Sequence, residues 1–363
     1  MTQTGIPFLF MRGGSSRGPY MRRSDLPEDL GTLADVLVAL VGSGHPLNID
    51  GLGGGATVTT KVAMLSPSED DEADIDYFFA QVSVEDRLVD YKPTCGNILV
   101  GVGPAAIEMG LVTPTGDETT VRIRAVNTGA RVDCIVQTPG GVVSYDGAIA
   151  IDGVPGTSAP ISLQFKETVG GVTGALFPSG NKTDVIDGTT VTCMDVAMPM
   201  VIARAEDLGL TGRETREEID DNRALLDRIE AIRLEAGKRM GMGDVAASVT
   251  PKFGLLSAPS QGGAATVRYL TPWACHPTLA VTGSQCIAAC LLSPGTVADG
   301  MLDAPDASPA SVVMEHPMGQ MEVMVDFERD GDDVTILSAG LVRTARKLAS
   351  GTVFVPTSVW AGR

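Results

Sequence analysis

Few residues in this chain stand where their chemistry would be useful. Cys95 directly precedes a run of helical character, in Thr94-Cys95-Gly96-Asn97 followed by Ile98–Met109. A helix N-terminus lowers the pKa of a thiol and makes cysteine a usable acid or base, whereas a cysteine sealed in a core is inert. Lys61 is a single cation inside the otherwise uncharged run Ala56–Leu65. It is either an edge residue reaching water or a desolvated amine, and desolvation turns a lysine into a general base. His276 lies near a second helix opening, Val281-Thr282-Gly283-Ser284, where a substrate contact and a purely structural role fit equally well.

The two openings form a pair. Helix N-termini carry free N–H groups and a positive dipole end, so each would hold a carboxylate without a basic side chain. Gly96 and Gly283 would let a ligand approach the backbone closely. Plain capping by Asn97 or Ser284 explains each opening taken alone.

The elements that must position these residues repeat. In the first half the opening at Cys95 leads into a small-residue helix, then a strand pair turning at Asn127-Thr128-Gly129. In the second half Val281–Ser284 leads into Gln285–Leu292, then a strand pair turning at His316-Pro317-Met318-Gly319. The repeat predicts two similar domains, 1–180 with Lys61 and Cys95 and 181–363, each aiming one helix N-terminus at a shared cleft. Elsewhere the patterning predicts a strand over Ile6–Met11 ending in a loop over Arg12–Gly18. It also predicts a helix over Leu30–Val41, a strand over Val58–Leu65 and alternating strands over Tyr77–Val89 and Thr119–Gln137. One amphipathic surface helix is expected over Ile219–Met240, with Arg233 outside its apolar stripe.

Bulk properties narrow the function. The 363 residues are 44% hydrophobic and 20% charged, enough for a sizeable core. A net charge of −18 repels phosphate backbones, so nucleic acid is not an expected partner. The same charge repels an anionic substrate at long range, so an anion site must be built locally from N–H groups and a few basic side chains. No run reaches the roughly 18 apolar residues of a membrane span, and no secretory signal is visible. The six cysteines form no C-x-x-C pair, and His45, His276 and His316 share no metal-ligand spacing. The expectation is a cytoplasmic protein without metal or other cofactor, and a homodimer is compatible with the sequence. Cys134, Cys193, Cys275, Cys286 and Cys290 sit in apolar contexts that make them inert. The glycine loop Asp50–Gly55 lacks the lysine and hydroxyl of a phosphate loop.

Several segments in order resemble the PrpF-type family. They are Met11–Gly18, Ile49–Gly54, Thr60-Lys61-Val62-Ala63, Cys95–Ile98, Ile151–Thr157, Met240–Asp244 and Pro251-Lys252. Within that family the chain is most similar to the oxalomesaconate isomerases and tautomerases of gallate and protocatechuate (lignin-aromatic) 4,5-cleavage. The resemblance implies the α/β diaminopimelate-epimerase-like fold, in which each of two similar domains wraps a β-sheet around a central helix. It implies Lys61 as the proton-abstracting base, with Cys95 in the same cleft. Ser15, Ser16, Arg17, Gly96, Asn97, His276, Thr282, Gly283 and Ser284 would contact a small tricarboxylic acid. Epimerases of this fold carry a second cysteine where this chain has Thr282, so one-sided proton transfer fits better than two-thiol racemisation. Arg17 stands where relatives have lysine. It can bind a carboxylate but cannot act as a base. The implied reaction is a 1,3-allylic proton shift without a cofactor. The rivals are a 2-methylaconitate cis–trans isomerase and a non-catalytic accessory protein of an aconitase-like dehydratase.

Overall fold

The computed structural model describes residues 2–92, 94–151, 153–166, 168–303, 305, 307–331 and 333–362. Asp152, within the family-like segment Ile151–Thr157, lies outside the described residues. In chain order the strands and helices are β1 (Gln3–Gly13), β2 (Ser16–Arg22), α1 (Leu30–Val41), β3 (Lys61–Pro67), β4 (Ile75–Val82), β5 (Val89–Asp90), α2 (Gly96–Val100), α3 (Val102–Glu108), β6 (Glu118–Ala125), β7 (Arg131–Gln137) and β8 (Ile161–Phe165). They continue with β9 (Asp184–Ile186), β10 (Thr189–Asp195), β11 (Pro199–Arg204), α4 (Arg216–Asp221), α5 (Arg223–Arg239), β12 (Lys252–Ser257), β13 (Ala265–Leu270), α6 (Val281–Leu292), β14 (Ala310–His316), β15 (Gly319–Asp330), β16 (Asp333–Arg343) and β17 (Ala345–Pro356).

The chain divides into two units, Met1–Leu163 with Val342–Arg363, and Gln164–Leu341. The division falls earlier than residue 180, and the last segment returns to the first unit. The cause is β17, which pairs antiparallel with β1 along its whole length, from Gln3 opposite Pro356 to Gly13 opposite Ala345.

In the first unit β1 and β2 form a hairpin, β2 runs parallel to β3, β3 antiparallel to β4, β4 parallel to β6, and β6 antiparallel to β7. The second unit repeats the series: β10–β11 antiparallel, β11–β12 parallel, β12–β13 antiparallel, β13–β14 parallel, β14–β15 antiparallel. Each parallel pair needs a crossover, and helices supply it at matching places. α1 links β2 to β3, and α4–α5 link β11 to β12. The buried helices α2–α3 and α6 link the second parallel pair of each unit.

Local physics accounts for the helices. α1 covers the predicted range because Leu33, Val36, Leu37, Leu40 and Val41 recur at helical spacing and are all buried. Asp29 caps its N-terminus by accepting from the Thr32 N–H at 2.8 Å, and Gly42 ends it in the left-handed region. Ile219–Met240 is two helices, because Asn222 leaves helical geometry and caps α5 through the Leu225 N–H. Arg233 is fully buried rather than outside the stripe. It is held by Glu230 at 2.7 Å and by the carbonyls of Val245, Ser248 and Thr250. In α6 every residue from Gly283 to Leu292 is buried, as a helix enclosed by its own sheet must be.

Candidate active site

Arg12–Gly18 is a hairpin, not a loop. β1 ends at Gly13, β2 starts at Ser16, and Gly14-Ser15 make the turn, with Gly14 at φ 51°. Its glycines are dictated by what lies behind them. A Cβ at Gly13 would overlap the Asn97 carbonyl oxygen, one at Gly14 the Asn97 side chain, and one at Gly18 the Lys61 carbonyl oxygen. The turn is pinned to Asn97 twice: Ser15 N donates to Asn97 Oδ1 at 3.3 Å, and Asn97 Nδ2 donates to Ser15 Oγ at 3.2 Å. One hairpin therefore abuts both Lys61 and the segment that carries Cys95.

Lys61 opens β3 directly opposite Gln81 of β4. It is half-buried. Its Nζ donates to Gln81 Oε1 at 2.6 Å and lies 5.4 Å from the centre of the Phe79 ring. The Gln81 amide cannot turn freely, because its Nε2 donates to the Thr60 hydroxyl at 3.1 Å and the Val82 carbonyl at 3.2 Å. Its oxygen is thereby fixed toward the amine. Sequence reasoning missed Gln81, although its place two residues from Phe79 on an alternating strand put both on the face of Lys61.

Cys95 is the N-cap residue of α2, with no side-chain capping bond, and is half-buried. The other five cysteines are buried, as expected. Burial pushes the thiols of Cys134 and Cys193 up to about 12 and those of Cys275 and Cys290 up to about 11. Cys95 alone of the six has the exposure a reactive thiol needs. Two buried tyrosines fix the turn it caps. Tyr20 Oη donates to the Ile98 carbonyl at 2.6 Å, and Tyr77 Oη donates to the Cys95 carbonyl at 3.4 Å. Burial, and secondarily the Cys95 sulfur, raises both phenols far above their ordinary value, so both stay neutral donors. The Tyr77 and Phe79 rings are 6.3 Å apart, which links the surroundings of Cys95 to those of Lys61.

A cavity of about 500 Å³ adjoins the hairpin within the first unit. Arg12, Ser15, Ser16, Arg17, Thr59, Tyr145, Ser158 and Arg346 are among its walls. Arg12 and Arg346 were not singled out from the sequence. Arg343, Arg346 and Lys347 within five residues of an acidic chain were the available signal. The glycine loop after α1 is a packing device. Asn48 Oδ1 accepts from Gly55 N at 2.9 Å, and a Cβ at Gly51 would overlap the backbone of Val41 and Gly42.

In the second unit, the predicted residues divide. α6 begins at Val281, three residues before Ser284. Ser284 is fully buried, and its hydroxyl donates to the Val281 carbonyl at 2.7 Å, so it is engaged within its own helix. Gly283 accommodates a tyrosine rather than leaving room for a ligand: a Cβ there would overlap the Tyr269 ring. Gly101 meets Tyr20 in the same way. Thr282 is half-buried, with Oγ1 3.8 Å from Met198 Sδ. His276 Nδ1 accepts from Thr278 N at 3.0 Å, and its ring stands edge-on to Tyr269.

Two units repeat one strand order around buried helices, and in the first an amine and a thiol stand near one glycine hairpin. Comparison with known proteins shows the family. The chain belongs to the PrpF family, whose model, described as PrpF protein, matches residues 3–356. It is 46% identical over 349 residues to the (4E)-oxalomesaconate Delta-isomerase of Novosphingobium sp. strain KA1, covering 96% of this chain and 97% of that one. It is 45% identical over 363 residues to the 4-oxalomesaconate tautomerase of Pseudomonas putida, covering 100% and 99%. The crystal structure of a methylitaconate-delta-isomerase superposes with a TM-score of 0.89 at 33% identity, covering 99% of this chain and 97% of that one. The protein is an isomerase.

Proposed function

We propose that this isomerase moves a double bond in 4-oxalomesaconate by a 1,3-allylic proton shift, in the cytoplasmic breakdown of aromatic acids through 4,5-cleavage. The observation that carries the reading is the hairpin that abuts both Lys61 and Asn97, which gives a base and a backbone anion site one common wall. Likeness over nearly the whole chain to proteins named for this substrate supports it.

In the proposed mechanism Lys61 takes a proton from the carbon next to the conjugated system. The electron pair left behind delocalises onto the carbonyl oxygen as a dienolate. N–H groups of Gly96 and Asn97, in the first turn of α2 where intrahelical acceptors run out, and the Arg17 guanidinium stabilise that oxygen. The proton returns two carbons away, from Lys61 or Cys95, so the step is balanced without an oxidant, a reductant or a metal. General acid–base help of about 10²–10⁴-fold and oxyanion stabilisation supply the rate.

The test is ultraviolet spectroscopy of the full chain with a panel of unsaturated acids. Moving the double bond changes conjugation, so 4-oxalomesaconate should give the largest absorbance change per unit time. Faster change with 2-methylaconitate would establish that rival substrate. A flat spectrum with every acid would support the accessory-protein reading.

A further inference from the structure

Three arginines stand in a row across the sheet of the first unit. Arg17 of β2 lies directly opposite Arg12 of β1, and Arg12 lies directly opposite Arg346 of β17. Directly opposed residues of antiparallel strands project to the same face with Cβ atoms about 5 Å apart, and like charges so placed are destabilising. Among the described residues none of the three forms an ion pair with a carboxylate. Arg12 is fixed by hydrogen bonds to the Thr344 carbonyl at 2.8 Å and the Gly14 carbonyl at 2.9 Å. Burial, and then the neighbouring Arg346, makes its positive charge costlier to hold. All three line the 500 Å³ cavity, and Asp146, its one acidic wall residue among the described residues, pairs with none of them. Ser16 lines it too, and its Oγ, 3% exposed as a residue, has no hydrogen-bond partner among the described residues. A chain of net charge −18 has ample carboxylates to neutralise such a row, yet no carboxylate among the described residues pairs with it.

We propose that this row is a carboxylate-binding subsite, in which Arg346 and Arg12 grip a substrate carboxylate remote from the carbon that loses its proton. A guanidinium fork matches a carboxylate in two parallel hydrogen bonds, and a neutral hydroxyl such as Ser16 can donate a third. The subsite rests on the isomerase reading above and deepens it. Its walls include Thr59, two residues before Lys61, and Ser15 and Arg17 of the hairpin that abuts Lys61 and Asn97. In the proposal a short acid with three carboxylates is held at one end here, and its reacting carbons extend past the hairpin toward Lys61, which does not itself line the cavity. Arg346 becomes the residue that favours tri-acids.

Arg346 is the informative position, because it is exposed and makes no hydrogen bond or ion pair among the described residues. The probe is propane-1,2,3-tricarboxylate, a saturated tri-acid with no double bond to move, titrated calorimetrically into the full chain. Arg346→Met should weaken binding by about 10–100-fold and flatten its dependence on salt, and Arg346→Lys should restore part of the loss. In turnover KM for the unsaturated tri-acid should rise while kcat stays within about threefold. The unliganded variant should melt at or above the wild-type temperature, since an opposed like charge has gone. Should Arg346→Met fold poorly, Arg346→Gln carries the same test. Unchanged tri-acid affinity, or an equal fall in kcat with no rescue by lysine, overturns the subsite. A protein that binds the tri-acid through Arg346 yet moves no double bond defeats the isomerisation reading alone. One that isomerises with a KM indifferent to Arg346 defeats the subsite alone.

Discussion

An amine removes a proton from carbon only when its lone pair is aimed at that carbon. In this protein the Lys61 amine, the proposed base, is held by Gln81, whose amide is itself clamped by the Thr60 hydroxyl and the Val82 carbonyl. Lys61→Met keeps the length of the side chain and removes the amine. Steady-state assays of the proposed reaction should show turnover lower by at least about 10³-fold, while circular dichroism remains native. Cys95→Ser should be milder, at about 10–10²-fold, if the thiol only returns the proton. Full activity in the lysine variant would remove Lys61 from the mechanism, and equal, complete loss in both would mean that two groups share the abstraction. Lys61 and Cys95 stood out in the sequence as candidates, from a charge in an apolar run and a thiol before a helix. Gln81 and Arg346 did not, because each is placed by its cross-strand neighbour, and strand register is invisible in a linear text.

Glycines set the spacing of whole elements. Gly101 and Gly283 bring a central helix against a tyrosine ring of its own unit, so a methyl group at either position must push helix and strand apart. Gly101→Ala and Gly283→Ala should each lower stability by about 1–3 kcal/mol, read as a lower urea midpoint. A second element-scale device is the turn beside β13. Burial of Glu315 pushes its carboxyl up. The Thr266 hydroxyl and the N–H groups of Ser260, Gly263 and Gln261 outweigh that and hold it at about 2. Its folded pKa lies below the ordinary carboxylate value. The stabilisation it gives is therefore complete above about 4.5 and disappears as pH falls toward 2. Melting temperatures between pH 7 and 2.5 should show this loss, and Glu315→Gln should reduce that part of the acid dependence. The sequence displayed α1 and both buried helices because their apolar spacing is local. It read the hairpin at Arg12–Gly18 as a loop because the same glycines and serines serve loops and close-packed turns alike. Lys61 and Asn97, which make those glycines necessary, lie about 40 and 80 residues farther along the chain.

At the scale of the molecule, none of the described helices is long and apolar enough to cross a membrane. No group of three His, Cys, Asp or Glu side chains among the described residues is placed to hold a metal ion. The proposed proton shift draws only on protein groups, so activity should survive prolonged dialysis against a chelator, and a loss restored only by a divalent cation would refute that mechanism. The topological repeat was legible as order and type of element, while the return of β17 to the first unit was not, since nothing in Ala345–Pro356 names its partner. That return has a consequence for birth on the ribosome. Synthesis at about 5–20 residues per second places roughly 10–40 s between β8 and β17, and Gln164–Leu341 emerges whole in that interval. The unit that begins the chain is thus the last to close. Until then β1 presents an open edge, and the arginine row lacks the member that β17 brings.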